Sequence, residues 1–283
     1  MSMQHIAVIG AGTMGNGIAQ VCAVAGFDVT LLDISDTALE RGMATVRKNL
    51  ERQVTKQTVA ADVAEAALGR ISVTTDYGQL TGAQLVIEAA TENLELKLRL
   101  LKQIASHVDR DCVIASNTSS LSITQLAASV EHPDRFIGLH FFNPVPMMSL
   151  IEVIRGLQTA DTTHIAAIKL AERLNKTAIT AGNRPGFVVN RILVPMINEA
   201  ILVLQEGLAT AQDIDDGMRL GCNQPIGPLA LADLIGLDTL LAIVEAFHEG
   251  FNDSKYRPAP LLKEMVAAGY LGRKTGRGFF VYN

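Results

Sequence analysis

A chain of 283 residues, 48% hydrophobic and 19% charged, has length for about two domains and is too apolar to be mainly disordered. Its formal charge of −5 supplies no basic excess for duplex nucleic acid, whose phosphates call for clustered Lys and Arg. Cys22, Cys112 and Cys222 are odd in number, far apart and form no CxxC pair, which argues against a disulfide framework or a Cys-based zinc site and suits a reducing cytoplasm.

The opening stretch has the one membrane-like signature. Ile6 to Phe27 carries no charge over about the length of a membrane span. It holds five glycines with Thr13, Asn16 and Gln20, however, and lacks a basic flank. A strand over His5–Ile9, a turn over Gly10–Gly15 and a helix over Asn16–Ala25 account for it better, with Gly26 ending the helix and a second strand over Asp28–Asp33. Residues 35–70 read as a charged helical hairpin, N-capped at Ser35 and basic at Arg47, Lys48, Arg52 and Lys56, its second helix spanning Thr58–Leu68. Strands follow at Ile71–Thr74, Leu85–Glu88 and Cys112–Ala115, with a helix over Leu94–Val108. Phe136–Phe142, Leu150–Arg155 and Thr177–Thr180 extend the strand set, with a helix over Thr162–Leu174. Apolar strands alternating with helices imply a mainly parallel sheet covered on both faces.

Beyond Arg184-Pro185 the texture turns helical: Ile192–Glu206, Gln212–Leu220, Leu229–Gly250 and Leu261–Ala268. The division is therefore an α/β domain over 1–184, with the hairpin inserted at about 35–70, and an all-helical domain over 185–283.

Gly10-Ala11-Gly12-Thr13-Met14-Gly15 matches GxGxxG and sits between a strand and a helix. Gly10 allows the tight turn, Gly12 lets a pyrophosphate approach the backbone, and Gly15 lets helix pack on strand. The helix start offers N–H groups and partial positive charge to the phosphates. Asp33 ends the next strand, 18 positions after Gly15, where a carboxylate accepts from ribose hydroxyls and repels a 2′-phosphate. With no Arg or Lys between Asp33 and Glu40, NAD is favoured over NADP. The competing reading is a strand–helix turn with no ligand.

His5, His107, His132, His164 and His248 read as surface or helix-end residues. His140 ends an apolar strand before a proline-bounded turn, at the end of the sheet where open α/β folds bind ligands; a core histidine is its bland alternative. Glu152, in Leu150-Ile-Glu-Val-Ile, needs a partner if buried. Paired with His140, it would fix the imidazole tautomer for proton transfer near neutral pH. Ser116-Asn117-Thr118-Ser119-Ser120 offers donors at another strand end, and one of these five is expected to cap the helix beginning near Ser122. By themselves Asn190 is a helix-surface residue, and Gly272-Arg273-Lys274-Thr275-Gly276-Arg277-Gly278 is either a phosphate-seeking loop or a solvated turn. No metal ligand set is expected.

Together VIGAGTMGNGIAQ, EAATENLELK, ASNTSSLSIT, GLHFFNPVPMMSLIEVI, RPGFVVNRILVPMINEA and GYLGRKTGRGFFVY resemble the L-3-hydroxyacyl-CoA dehydrogenases, closest to the bacterial 3-hydroxybutyryl-CoA branch. The resemblance runs along essentially the whole chain. It implies a Rossmann-like domain, a helical domain that forms a homodimer and binds substrate, and NAD-dependent interconversion of (S)-3-hydroxybutyryl-CoA and acetoacetyl-CoA. Carried over by motif, His140 is the general acid/base and Glu152 its orienting carboxylate. Ser119 and Asn190 bond the reacting oxygen or the thioester. Glu92, Lys97, Ser119, Asn143 and Lys274 match contacts to NAD; Lys56 and Asn49 match contacts to CoA, Asn49 standing where many relatives carry Ser. No nucleic-acid or membrane partner is implied, and the localisation expected is cytoplasmic. The alternatives are a dehydrogenase of a free hydroxy acid, of the gulonate type, and a non-catalytic NAD-binding structural protein.

Overall fold

The strands at the centre of the chain can lie only inside a sheet covered on both sides, because they have no polar face. In the computed structural model, which describes residues 3–282, β4 (Leu85–Glu88), β5 (Val113–Ser116) and β6 (Phe136–Phe141) are buried at every position. With β1 (His5–Ile9), β2 (Asp28–Leu32), β3 (Ile71–Thr74), β7 (Leu150–Arg155) and β8 (Thr177–Gly182) they form one eight-stranded sheet, in the order β3-β2-β1-β4-β5-β6-β7-β8. Every neighbouring pair is parallel except β6 with β7. This matches the mainly parallel, doubly covered sheet expected from the sequence.

The parallel order brings the carboxyl ends of β1, β4, β5 and β6 to one edge of the sheet. Antiparallel pairing places the start of β7 at that same edge. The β6–β7 link, residues 142–149, is too short for a parallel crossover, which takes a dozen residues or more.

The uncharged opening segment is β1, a glycine turn and α1 (Thr13–Val24). The helix begins three residues before the expected start, with Gly12 as N-cap, because Thr13–Gly15 belongs to its first turn. Among the described residues no helix is long and apolar enough to cross a membrane.

The hairpin is α2 (Asp36–Thr55) and α3 (Ala61–Gly69); Ser35 caps α2 by accepting from the Ala38 N–H. Leu39, Val46 and Leu50 bury one face of α2, so its basic residues lie on the other. α4 (Leu94–Ala105), capped by Asn93, and α6 (Asp161–Arg173) complete the longer helices of this unit, Met1–Asn183. None of Ser116–Ser120 caps α5 (Ile123–Ala127). Ser122 does, through the Gln125 N–H, which corrects that expectation.

The second unit, Arg184–Asn283, has its own core of Val194, Ile197, Ile201, Leu229, Leu240, Val244, Phe247 and Leu262. α7 (Val189–Gln205), α8 (Ala211–Asp216) and α11 (Pro260–Ala267) lie near their expected places. The single helix expected over Leu229–Gly250 is two helices, α9 (Pro228–Ile235) and α10 (Leu237–Phe251). Gly236 separates them at φ 98°, ψ 126°, a conformation open to glycine and outside the helix. The end expected of α8, up to Leu220, is instead a π-type turn over Gly217–Gly221.

Candidate active site

His140 and Glu152 are register partners across the antiparallel pair, so the backbone sets them face to face. His140 Nδ1 lies 2.6 Å from Glu152 Oε2. The carboxylate is fully buried and the imidazole nearly so, with the ring 4.6 Å from that of Phe142. A carboxylate only accepts, so the proton between them sits on Nδ1, leaving Nε2 as the atom suited to proton transfer.

One strand over, the loop after β5 is tied to the chain by Glu92. Its Oε1 accepts from the Thr118 hydroxyl at 2.5 Å, the Ser119 N–H at 3.0 Å, the Ser120 N–H at 3.2 Å and the Ser120 hydroxyl at 3.0 Å. Oε2 faces the Lys97 ammonium at 3.3 Å. Burial disfavours the charged carboxyl, but Lys97 and these hydrogen bonds prevail and hold it below the usual carboxylate range. Asn117 ties the same loop to β6: its Oδ1 accepts from the Phe141 N–H at 2.8 Å, next to His140.

At the start of β2's exit, Asp33 Oδ2 accepts from the Ala11 N–H at 2.8 Å and Oδ1 from the Ser35 N–H at 3.2 Å. The acid thus sits against the glycine turn. Gly10 holds φ 101°, and a Cβ there would meet the Ala89 carbonyl at 2.9 Å. α2 approaches the turn closely at Gly42, where a Cβ would lie 2.8 Å from the Ala11 carbonyl oxygen.

The model of the 3-hydroxyacyl-CoA dehydrogenase NAD binding domain matches residues 5–184, and that of the C-terminal domain residues 186–282. The chain belongs to the 3-hydroxyacyl-CoA dehydrogenase family. It is 50% identical over 280 residues to a 3-hydroxybutyryl-CoA dehydrogenase of Bradyrhizobium diazoefficiens, covering 99% of this chain and 96% of that one. A probable 3-hydroxybutyryl-CoA dehydrogenase of Deinococcus radiodurans is 51% identical over 275 residues, covering 97% and 99%. Among solved structures, (S)-3-hydroxybutyryl-CoA dehydrogenase PaaH1 from Ralstonia eutropha is 59% identical, with a TM-score of 0.98 over the whole of both chains. The sequence resemblance is borne out, and the chain is an NAD-dependent oxidoreductase of this family.

The turn of this dehydrogenase fits the dinucleotide. α1 has neither a side-chain cap nor an acidic residue in its first turn, so no side chain competes for the N–H groups there. A Cβ on Gly12 would meet no protein atom within 4 Å, so that space is open to a pyrophosphate. Asn16, buried behind the turn, donates to the Gly12 carbonyl at 2.7 Å.

The first unit of the dehydrogenase thus gathers the Gly10–Gly15 turn, Asp33, Glu92, Lys97, Ser119, His140, Asn143 and Glu152 along the carboxyl edge of its sheet. Asn143 is exposed in the turn after β6. Lys56 is exposed at the C-cap of α2 and Asn49 is half-buried on that helix. Asn190 lies in the first turn of α7, and Lys274 in a 3₁₀ turn over Arg273–Thr275, both in the second unit.

Lys274 is not a loose cation: its ammonium donates to both oxygens of Asp238 at 2.5 and 2.6 Å, and this bonding keeps the Asp238 carboxyl below its ordinary range. Arg273 stands 5.2 Å from the Tyr282 ring and Arg277 4.0 Å from that of Tyr270. The glycine-rich basic segment is therefore a folded turn with ring-stacked arginines.

Asn117 and Thr118 belong to the donor-rich segment that the sequence marks, whereas Glu88 and Asp238 carry no assignment from it. Glu88 carried a usable signal, the same one that marked Glu152: a carboxylate in an otherwise apolar strand.

Proposed function

We propose that this dehydrogenase interconverts (S)-3-hydroxybutyryl-CoA and acetoacetyl-CoA, with His140 as general acid/base. The observation that carries this reading is the 2.6 Å His140–Glu152 contact, at the same edge of the sheet as the dinucleotide turn. In the oxidation direction His140 Nε2 takes the proton of the C3 hydroxyl while the hydrogen on C3 leaves as hydride; in reduction the same nitrogen returns the proton. NAD, held by the Gly10–Gly15 turn and Asp33, supplies the hydride acceptor when bound. Glu152 keeps Nδ1 protonated and stabilises the imidazolium that forms, as the orienting acid of a catalytic triad does. Ser119 donates to the reacting oxygen, and the resemblance assigns Asn190 the same oxygen or the thioester. The basic face of α2, with Lys56 at its end, suits the phosphates of CoA.

The second unit exposes Ile192, Leu208, Leu220 and Leu234, apolar side chains that pairing with a second copy would cover. We read the protein as a homodimer through this unit. The free cysteines, two of them buried, accord with a cytoplasmic location.

The deciding assay is NADH oxidation with acetoacetyl-CoA against free acetoacetate. The thioester is expected to turn over far faster, and Lys56→Ala should raise its KM without lowering kcat, as loss of uniform binding does. Equal or better turnover of the free acid would overturn the substrate assignment.

Asp33→Ala tests the cofactor assignment. Charge-assisted hydrogen bonds contribute roughly 1.5–3 kcal/mol each, so NADH affinity should fall by about one to two orders of magnitude. The preference for NADH over NADPH should shrink as well, because the carboxylate no longer repels a 2′-phosphate. An unchanged preference would remove Asp33 from the ribose site.

A further inference from the structure

Behind the loop that carries Ser119 lies a buried charged cluster that the chemistry above does not use. Glu88, the last residue of β4, has a fully buried side chain, and Lys97 reaches it from the first turn of α4 at 2.7 Å while itself only 1% exposed. Glu88 Oε1 also accepts from the Ala90 N–H at 2.7 Å, and Oε2 from the Ser116 hydroxyl at 2.6 Å. The ammonium is equally committed. It donates to Glu88 Oε1 and to the Ala90 carbonyl at 3.0 Å, and it forms an ion pair with Glu92 Oε2 at 3.3 Å.

We infer that Glu88 is a positioning residue for catalysis, acting through Lys97 and Glu92 on the Ser119 loop and through Asn117 on the strand that holds His140. The inference rests on the reaction proposed above. The first route runs from the Glu88 carboxylate to Lys97, from Lys97 to Glu92 Oε2, and from Glu92 Oε1 to the Thr118, Ser119 and Ser120 donors. The second is shorter. The Glu88 carbonyl accepts from the Asn117 N–H at 2.8 Å, the carboxylate holds Ser116, and Asn117 Oδ1 holds the Phe141 N–H beside His140.

Backbone carbonyl and carboxylate of Glu88 thus both meet Ser116–Ser120, and the carboxylate's share is the one a substitution removes. A buried ion pair is weak evidence for stability, since an apolar pair of similar volume often serves as well. What an apolar pair cannot do is anchor Glu92 in place.

The test compares Glu88→Gln with the apolar pair Glu88→Leu/Lys97→Met, measuring kcat with acetoacetyl-CoA, NADH affinity by fluorescence, and Tm. Glu88→Gln should lower kcat by about ten- to a hundredfold, the scale set by small misplacements of reacting groups. NADH affinity should stay within about threefold, as affinities do when direct contacts are intact. The apolar pair should recover Tm while kcat stays low, and it carries the test alone if Glu88→Gln does not fold. Recovery of kcat in the apolar pair would make the cluster structural only and overturn the inference. So would an effect confined to NADH affinity. Failure of the proposed reaction reads differently: the wild-type enzyme would not turn over acetoacetyl-CoA.

Discussion

His140→Ala is expected to lower kcat with acetoacetyl-CoA by at least about a hundredfold, the usual scale for removing a general acid–base group. At 1.36 kcal/mol per decade, that is a rise of about 2.7 kcal/mol or more in the barrier. NADH affinity should hold, because the dinucleotide turn belongs to β1 and α1, whereas His140 stands on β6. The variant deprives Glu152, buried at 0% exposure, of its imidazole, so Tm should fall as well. Activity must therefore be expressed per folded site, titrated by NADH fluorescence. A kcat within about threefold of wild type would take proton transfer away from His140, since no other described histidine stands opposite a buried carboxylate.

The pair at the centre of that prediction shows what a sequence can and cannot reveal. His140 and Glu152 are each conspicuous as polar residues in apolar strands, and in the sequence only economy pairs them. The proof of the pairing is register: in an antiparallel ladder residues 140 and 152 fall directly opposite. The eight-residue connection between β6 and β7 is too short for a parallel crossover, but its length does not set the register. Parallel pairing elsewhere followed from the apolar strands, but the order β3-β2-β1-β4-β5-β6-β7-β8 depends on how helices cover the two faces, which no local pattern encodes.

Glu88 illustrates a different limit. Its strand is plain in the sequence, yet its meaning lies in partners 9 and 28 positions away, Lys97 and Ser116. Helix breaks were hidden for a third reason. Gly236 lies in a run, Leu229–Gly250, whose apolar period continues across it, and an isolated glycine is tolerated in helices often enough to be read through. Only its φ of 98° ends α9. At Gly12 the reverse holds: the glycines suggest a turn up to Gly15, while the helix already begins at Thr13.

Two glycines of the turn should respond differently in Tm to the same substitution. At Gly15 a Cβ would stand 1.7 Å from the Gly10 carbonyl oxygen and 2.8 Å from its carbon, with Val8 Cγ1 at 3.5 Å. The two nearest are backbone atoms of the residue that follows β1, so α1 must move away from the strand. Overpacking of this kind costs about 1–3 kcal/mol or more. Gly15→Ala should therefore lower Tm by roughly 3–10 °C in a chain of this size. It should weaken NADH binding too, through displacement of the helix start. At Gly12 the backbone is already at φ −64°, which alanine adopts without strain, and its Cβ would touch no protein atom within 4 Å. Gly12→Ala should leave Tm within about 1 °C, because no packing term changes. NADH affinity should nonetheless fall by at least about tenfold, since a methyl group there occupies the space a pyrophosphate needs and the loss of one close contact is worth a decade or more. Thermal melts with NADH titrations on both variants decide the matter. An intact NADH affinity in Gly12→Ala would place the phosphates elsewhere, and an intact Tm in Gly15→Ala would mean that strand and helix are less tightly joined than a 1.7 Å overlap demands.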